Sequence, residues 1–462
     1  MPPVAWVGIP FAYDFQVSCG TNSSLHPLII FRILSSMPWR DLCSTLRTAV
    51  IARVAQNRSE GDLYRNFKIL ERRAPHSVGE WPSFDEEDIR SVESVLRSGR
   101  INYWTGEECR RFEREYATHV GTKHAIALTN GTVALELALR ALGIGPGDEV
   151  ITSARTFIAS ASCAVAVGAT PIIADVDRDS QNITADTIRK VVTPKTKAII
   201  AVHLAGWPCE MDSILALAAE YGLKVVEDCA QANGARYKGQ VVGSIGDVGA
   251  FSFCQDKIIT TGGEGGLITL NDDEMWKFAW AYKDHGKSYE AVYNRDHPPG
   301  YRWLHESFGT NWRMTEMQGA LGRNALRRLD SWVKTRRQNA STLKKAFAGI
   351  RAVRIPEPPQ DFYHSYYKFY AFIEPHALKP EYSRDRIVQE ISELGYPCFV
   401  GSCSEIYLEK AFEAAGYRGE ILPVARELGD TSLMFLVHPT INESQMDEYA
   451  DISSRVLRSA SR

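Results

Sequence analysis

The 462-residue sequence lacks an excess of charge of either sign. Its 53 lysines and arginines face 56 aspartates and glutamates, which gives a formal net charge of −3. Domains that bind nucleic acids usually carry a basic excess, so we expect no nucleic-acid partner. With 44% hydrophobic and 24% charged residues, the composition is that of an ordinary folded globular protein.

Paired cysteine spacings are also missing. The nine cysteines are odd in number, are spread along the chain and include no C-x-x-C motif. This pattern fits neither a disulfide framework nor a zinc site. We therefore predict free thiols, no bound metal and a cytoplasmic location.

Long apolar runs are scarce. The most membrane-like uncharged window, residues 156–174, is interrupted by Gly168 and Pro171. It predicts a buried helix followed by a strand rather than a membrane span. The first basic residue is Arg32, which does not fit a signal or transit peptide. We expect no membrane partner.

The regular pattern of the chain begins near Trp81. Residues 1–79 show no persistent helical or strand period and are predicted to be an N-terminal extension of unknown role. The acidic run at 85–88 suits the first turn of a helix. We predict a large domain over 80–325 and a small C-terminal α+β domain over 326–462.

Between positions 124 and 270, short apolar runs alternate with amphipathic helices, the pattern of a parallel sheet with crossover helices. The predicted strands cover residues 125–128, 149–152, 170–175, 198–202, 224–227, 248–252 and 266–270. The long loop at 284–311 is predicted to be functional. A helical period from Met317 to Val333 predicts a linking helix, whose basic residues we interpret as a solvated face.

Two short segments of this region favour phosphate and ring-nitrogen contacts. Gly131 and Thr132 follow Asn130 where a strand gives way to a helix, so free N–H groups there favour a phosphate; a plain N-cap is the alternative. Asp228 ends an apolar strand, where open α/β sheets bind ligands. It is suited to hold a pyridinium nitrogen, or to cap the next turn structurally.

Two further residues favour a covalently held aromatic cofactor. Lys257 leaves another apolar strand just before a glycine-rich run, and a lysine in an enclosed site can form a Schiff base. Its alternative is an ordinary surface lysine. Phe157 follows a strand and offers an aromatic face for stacking, with a place in the core as its alternative.

Six motifs together resemble one family, the DegT/DnrJ/EryC1/StrS sugar aminotransferases. The resemblance covers about residues 80–455, and its motifs agree in order, spacing and type. They lie at residues 130–132, 143–150, 227–231, 251–257, 263–266 and 311–318. The resemblance implies a fold-type I, pyridoxal phosphate-dependent α/β enzyme with a mostly parallel seven-stranded large domain and a smaller C-terminal α+β domain. It also implies a homodimer with shared active sites.

The family roles map onto individual residues of this chain. Lys257 would join the cofactor as a Schiff base, Asp228 would pair with the pyridine nitrogen and Gln231 would contact the ring hydroxyl. The remaining implied contacts are Gly131, Thr132 and Ser252 to the phosphate, Phe157 to a ring face, Asn311 to the neighbouring subunit's phosphate, and His364 and Arg313 to the substrate. Two departures, residues 254–256 and Arg155, imply an unusual substrate preference.

The implied reaction moves an amino group from an amino acid, glutamate above all, to a keto sugar. A nucleotide-linked sugar in amino-sugar or surface-polysaccharide biosynthesis is the family default; the sugar, its keto position and glutamine as donor stay open. Lys257 would move the proton in each half-reaction. The alternatives are a pyridoxal phosphate-dependent sugar dehydratase, in which histidine replaces the lysine, and a non-catalytic regulatory homologue. Lys257 argues against the first.

Overall fold

The computed structural model describes residues 78–417 and 419–462. These residues belong to a compact unit that spans Pro75–Arg462. The predicted extension over 1–79 lies almost entirely outside the described residues, so its role stays a prediction.

The first described helix, α1 (Glu86–Ser98), begins where the acidic run predicts. The Asp85 side chain accepts the N–H groups of Glu87 and Asp88, and the Asp88 side chain accepts the Asp85 N–H in return. This capping box satisfies N–H groups that the helix itself leaves free. The helix ends at Gly99, whose φ of +66° suits glycine.

A seven-stranded sheet forms the centre of the larger part of the molecule. Its strands are β1 (His124–Leu128), β2 (Glu149–Ser153), β3 (Thr170–Ala174), β4 (Thr196–Val202), β5 (Lys224–Asp228), β8 (Val248–Ser252) and β9 (Gly266–Leu270). Their order is β1-β9-β8-β5-β4-β2-β3, and only β9 runs against the others. The predicted α/β class and all seven predicted strands are confirmed.

Helices cover both faces of this sheet because its strands are apolar on both sides. They are α2 (Glu108–Val120), α3 (Gly131–Ala141), α4 (Ala159–Ala166), α5 (Ala185–Arg189), α6 (Met211–Tyr221), α7 (Asp273–Tyr282) and α8 (Tyr289–Tyr293). The window at 156–174 contains α4 followed by β3, as predicted. Among the described residues, no helix is long and apolar enough to span a membrane.

A second, four-stranded sheet has its own apolar core. Its strands are β10 (Val353–Arg354), β12 (Phe369–Ile373), β13 (Cys398–Phe399) and β14 (Ser432–Phe435), in the order β10-β12-β14-β13. The helices of this region are α10 (Arg384–Glu393), α11 (Lys410–Ala414), α12 (Pro423–Thr431) and α13 (Glu443–Ala460). A small third sheet pairs β11 (Phe362–Tyr363) with β6 (Arg236–Tyr237), which pairs with β7 (Gln240–Val241).

The linking helix α9 (Glu316–Phe347) packs in both cores. Leu329 and Val333 lie in an apolar cluster under the large sheet, whereas Leu343 and Phe347 lie in the core of the second sheet. The predicted boundary at 325 falls inside this continuous helix, and the division into two domains stays a prediction.

The basic residues in the first half of α9 form ion pairs with acidic residues of α2, of α1 and of the α1 N-cap. Arg323 pairs with Glu108 and Glu115, at 2.6 and 2.7 Å. Arg328 pairs with Asp85 and Asp88, at 2.5 and 2.7 Å. The basic face therefore belongs to a network of ion pairs that joins helices.

Candidate active site

The N-terminus of α3 meets the end of β8 at a contact that only glycine permits. A Cβ atom on Gly131 would lie 2.6 Å from the Ser252 Cβ, and one on Gly266 would lie 2.1 Å from the Asn130 carbonyl oxygen. The Asn130 side chain caps α3 by accepting the Val133 N–H at 3.0 Å. Because an N-cap leaves other N–H groups of the first turn free, this cradle fits a phosphate.

Asp228 is the last residue of β5 and is buried. Its Oδ2 accepts the Ser160 hydroxyl at 2.7 Å, and its Oδ1 accepts the Ala230 N–H at 3.1 Å. Burial raises the pKa of Asp228, although these hydrogen bonds and the charge of Lys257 oppose the shift. A buried carboxylate that contacts neutral donors gains from a cationic partner, which fits a protonated ring nitrogen.

The neighbouring Glu227 has a structural role instead. Its carboxylate accepts three backbone N–H groups of residues 243–246, at 2.7 to 2.9 Å, and pairs with the His203 Nε2 at 3.1 Å. Burial acts to raise its pKa, but His203 and these N–H groups lower the pKa below its ordinary value. Although Cys229 also lies near this pair, the contacts already occupy both carboxylate oxygens.

Gln231 contacts the turn that follows β4. Its Oε1 accepts the Ala205 N–H at 2.9 Å. A Cβ on Gly206, whose φ is +94°, would lie 2.5 Å from the Ser365 Oγ and 3.2 Å from the Gln231 carbonyl oxygen. Residues 364–367 therefore lie beside Gln231, so the fold brings the predicted substrate histidine close to the predicted cofactor residues.

His364 is a buried and neutral imidazole. Its Nδ1 accepts the Tyr366 N–H at 2.9 Å, and the two rings stack with centroids 3.8 Å apart. Burial, followed by the positive charge of Arg337, lowers the pKa of His364 to about 3. Because Nδ1 accepts a hydrogen bond, the ring proton belongs on Nε2. The predicted contact of His364 with substrate stays a prediction.

Lys257 lies in the turn after β8 and exposes only 17% of its side chain, so the alternative of an ordinary surface lysine is wrong. Its Nζ lies 3.4 Å from the Tyr367 hydroxyl and 3.7 Å from the Asp256 Oδ1. Its carbonyl oxygen accepts the Trp81 Nε1–H at 2.9 Å. Both the side chain and the backbone of Lys257 are thus held by residues far along the chain.

Three predicted site residues lie at the edge of this group. Phe157 exposes 67% of its surface, so its alternative of a place in the core is wrong. Asn311 is exposed and pairs with Asp284 in an isolated β-bridge. The Arg313 guanidinium contacts the buried carboxylate of Asp284. The predicted roles of all three stay predictions.

A model of the DegT/DnrJ/EryC1/StrS aminotransferase family matches residues 82–452. The chain belongs to this family. The predictions of an aminotransferase with the fold of these pyridoxal phosphate enzymes are therefore confirmed. Solved structures with a similar fold include the PLP and PMP forms of one Streptococcus pneumoniae protein, each 28% identical to this chain, with TM-scores of 0.73 and 0.74.

Individual relatives of this aminotransferase match most of its length. An aminotransferase from Psychrobacter cryohalolentis is 55% identical, with a TM-score of 0.82 over 83% of this chain and all of that one. The spore coat polysaccharide biosynthesis protein SpsC of Bacillus subtilis is 36% identical over 84% of this chain and 97% of its own. GDP-perosamine synthase of Escherichia coli O157:H7 is 34% identical over 79% of this chain and 98% of its own.

Arg155 makes structural contacts in this aminotransferase. Its fully buried guanidinium donates to the Gln181 Oε1, the Ser404 Oγ and the Ser432 Oγ at 2.9, 2.7 and 3.0 Å. Because Ser432 begins β14, these bonds join the end of β2 to the second sheet. Arg155 therefore connects two parts of the fold, and the expectation that it alters substrate preference has no support in this geometry.

Sequence reasoning missed three residues that this aminotransferase places in contact with the predicted ones. Ser160 donates to Asp228, Tyr367 contacts the Lys257 amine, and Trp81 binds the Lys257 backbone. A hydroxyl one turn after Phe157 was a usable signal for Ser160. Tyr367 and Trp81 are 110 and 176 residues from Lys257, so no local pattern indicates their contacts.

Proposed function

We propose that this chain is a pyridoxal phosphate-dependent aminotransferase that moves an amino group from an amino acid, glutamate, to the keto group of a nucleotide-linked sugar. Family membership supports the reaction class. The GDP-perosamine synthase and SpsC relatives support a nucleotide sugar destined for a surface polysaccharide. The chain spans nearly the whole length of both relatives, so the proposal rests on full-length similarity.

The observation that carries this proposal is that three features meet at one edge of the sheet. The buried acid Asp228 ends β5, the enclosed Lys257 follows β8, and the glycine cradle joins β8 to the N-terminus of α3. In open α/β sheets, this carboxyl edge of the parallel strands is where ligands bind.

Each feature has a distinct task in the proposed reaction. When bound, pyridoxal phosphate supplies an electron-withdrawing ring that makes a proton on the adjacent substrate carbon acidic. The Lys257 Nζ holds the cofactor and later moves that proton. Asp228 keeps the ring nitrogen protonated, and the N–H groups around Gly131 with the hydroxyls of Thr132 and Ser252 bind the phosphate.

The remaining residues complete the proposed site. Gln231 contacts the ring hydroxyl, Phe157 covers one ring face, and His364 and Arg313 face the sugar. Asn311 reaches the phosphate of a neighbouring subunit, so the active unit is a homodimer. We place this homodimer in the cytoplasm. The exposure of Phe157 and Asn311 supports roles that depend on a ligand or on a second subunit.

The proposal is tested by reducing the cofactor-loaded protein with borohydride and mapping the modified peptide. We expect the reduced cofactor on Lys257. Attachment to any other lysine would overturn the assignment. The substrate class is tested separately: glutamate should convert the cofactor to its amine form, and a panel of nucleotide-linked keto sugars should restore the aldehyde form. Failure of every keto sugar in the panel would reject the acceptor, and a protein that takes up no cofactor would favour the regulatory alternative.

A further inference from the structure

One acidic side chain lies directly beside the Lys257 amine. The Asp256 carboxylate faces the Lys257 Nζ at 3.7 Å through Oδ1 and contacts the Tyr367 hydroxyl through Oδ2. The same hydroxyl oxygen lies 3.4 Å from the Lys257 Nζ. Tyr367 can therefore donate its proton to Asp256 and accept a hydrogen bond from the amine at the same time.

Positively charged side chains outnumber acids around Asp256 and Tyr367. The Lys368 Nζ lies 3.9 Å from the Asp256 Oδ2, and the Arg336 Nη1 donates to the Tyr367 carbonyl oxygen at 3.2 Å. Burial lowers the pKa of Lys368 to about 8 and that of Arg336 to about 9. The Asp256 carboxylate therefore lies near two lysine amines, those of Lys257 and Lys368, and the positive charge of the buried Arg336 acts on it from further away.

The backbone around the group is fixed as well. Arg336 is buried, and its guanidinium lies 5.0 Å from the centre of the Trp81 ring. Trp81 in turn donates to the Lys257 carbonyl oxygen. Each of four residues therefore contacts the next, and the last contacts the first: Trp81, Lys257, Tyr367 and Arg336. Asp256 contacts two of them, the Tyr367 hydroxyl and the Lys257 amine.

We propose that Asp256 is a positioning residue for the Lys257 amine. Its charge acts on the amine directly, and its contact with Tyr367 keeps the Tyr367 hydroxyl where it holds the amine in line for proton transfer. The inference rests on the proposed function, because it requires Lys257 to be the cofactor lysine. It also gives one residue of the departure at 254–256 a role: Asp256, next to the lysine, supplies a hydrogen-bond acceptor each time the amine is released from the cofactor.

The effect of the Asp256 charge on protonation of the neighbouring nitrogen has a predictable direction. A carboxylate within about 4–6 Å of a nitrogen favours the protonated nitrogen. The other titratable groups around Asp256 are Tyr367 and Lys368 from the segment before β12 and Arg336 from α9. Asp228 from β5 acts on the Lys257 amine from its other surroundings. Removing Asp256 removes a negative charge, whereas removing Lys368 removes a positive one, so the two changes should act in opposite directions.

The test is a pH titration of the bound cofactor's absorbance in the loaded enzyme, which needs no turnover. We expect Asp256→Asn to move the midpoint of the absorbance change down by about one pH unit, and Lys368→Gln to move it up by a smaller amount. Asp212→Asn is the matched control, because Asp212 forms a similar acid–lysine–tyrosine group with Lys238 and Tyr237 on the surface. It should leave the midpoint unchanged.

A double-mutant cycle separates positioning from general loosening. We expect Asp256→Asn and Tyr367→Phe each to slow the glutamate half-reaction about tenfold, and the double variant to be no slower than the worse single one. Asp256→Glu should restore part of the rate. Additive losses, or a midpoint that Asp256→Asn leaves unchanged, would overturn the inference alone. An unaltered protein whose absorbance responds neither to pH nor to glutamate would overturn the proposed function and this inference with it.

Discussion

The two ends of the candidate site are built in different ways. At the phosphate end, the backbone at Gly131 and Gly266 is packed so closely that a Cβ atom at either position would collide with the Ser252 side chain or the Asn130 carbonyl oxygen. The lysine end consists of side chains from distant parts of the chain, with Asp256 and Tyr367 around the Lys257 amine. Adding atoms should therefore damage the first end, whereas removing atoms should damage the second.

Removing the amine should have the largest effect. We expect Lys257→Ala to lower transamination at least about 1,000-fold, because the side chain both holds the cofactor and moves the proton. Steady-state rates with glutamate and a keto sugar measure the loss. Lys277→Ala removes an exposed lysine and should keep the full rate. A comparable loss in that control would attribute the effect to the fold.

Asp228→Asn should slow the half-reaction with glutamate about 100-fold, since an amide cannot keep the ring nitrogen protonated. In the cofactor-free protein the same change should raise Tm at pH 7, because it removes a buried charge. The pKa of Asp228 is raised above its ordinary value of 3.8, so its buried charge costs stability as the pH rises through the interval above 3.8. Below 3.8 the two proteins should melt alike. A lower Tm for the variant at pH 7 would contradict this.

Gly131→Val tests the backbone-built end. Overpacking typically costs about 1–3 kcal/mol, so we expect cofactor affinity to fall about 10- to 100-fold, as measured by equilibrium titration. Gly145→Ala is the matched control, because its added Cβ would meet only one atom, at 3.9 Å. Equal affinities for the Gly131 variant and the control would show that the close contact with Ser252 is unimportant.

The smallest effect should come from shortening the chain. A chain that begins at residue 78 keeps Trp81, and we expect its activity to stay within about twofold of the full chain. In that shorter chain, Trp81→Phe keeps the α1 cap at Asp85, removes the Trp81 hydrogen bond to Lys257 and should lower the stability by about 1 kcal/mol. Chemical denaturation compares the two. Equal unfolding midpoints would show that Trp81 does not help to hold Lys257 in place.

Local patterns predicted the sheet because strand runs and helix caps are short-range features. The strands at 248–252 and 266–270 lie where the sequence places them, and the acidic run at 85–88 does begin a helix. The turn from Asn130 into α3 is short-range in the same way and lies where the sequence predicts it, while its phosphate role stays a prediction. The side-chain contacts of Arg155 and Tyr367 could not be predicted, because the partners of these side chains lie 26 to 277 residues away and only the fold brings them together.

The bonds made by Arg155 have a consequence for the response to salt. Its acceptors are the neutral oxygens of Gln181, Ser404 and Ser432, whereas the contact of α9 with α1 and α2 adds to its apolar packing partly exposed ion pairs such as that of Arg328 with Asp85. Ions in solution screen exposed charges over about 10 Å at 0.1 M ionic strength, and buried groups much less. Rising ionic strength should therefore loosen the helices around α9 while the connection between the two sheets keeps its strength.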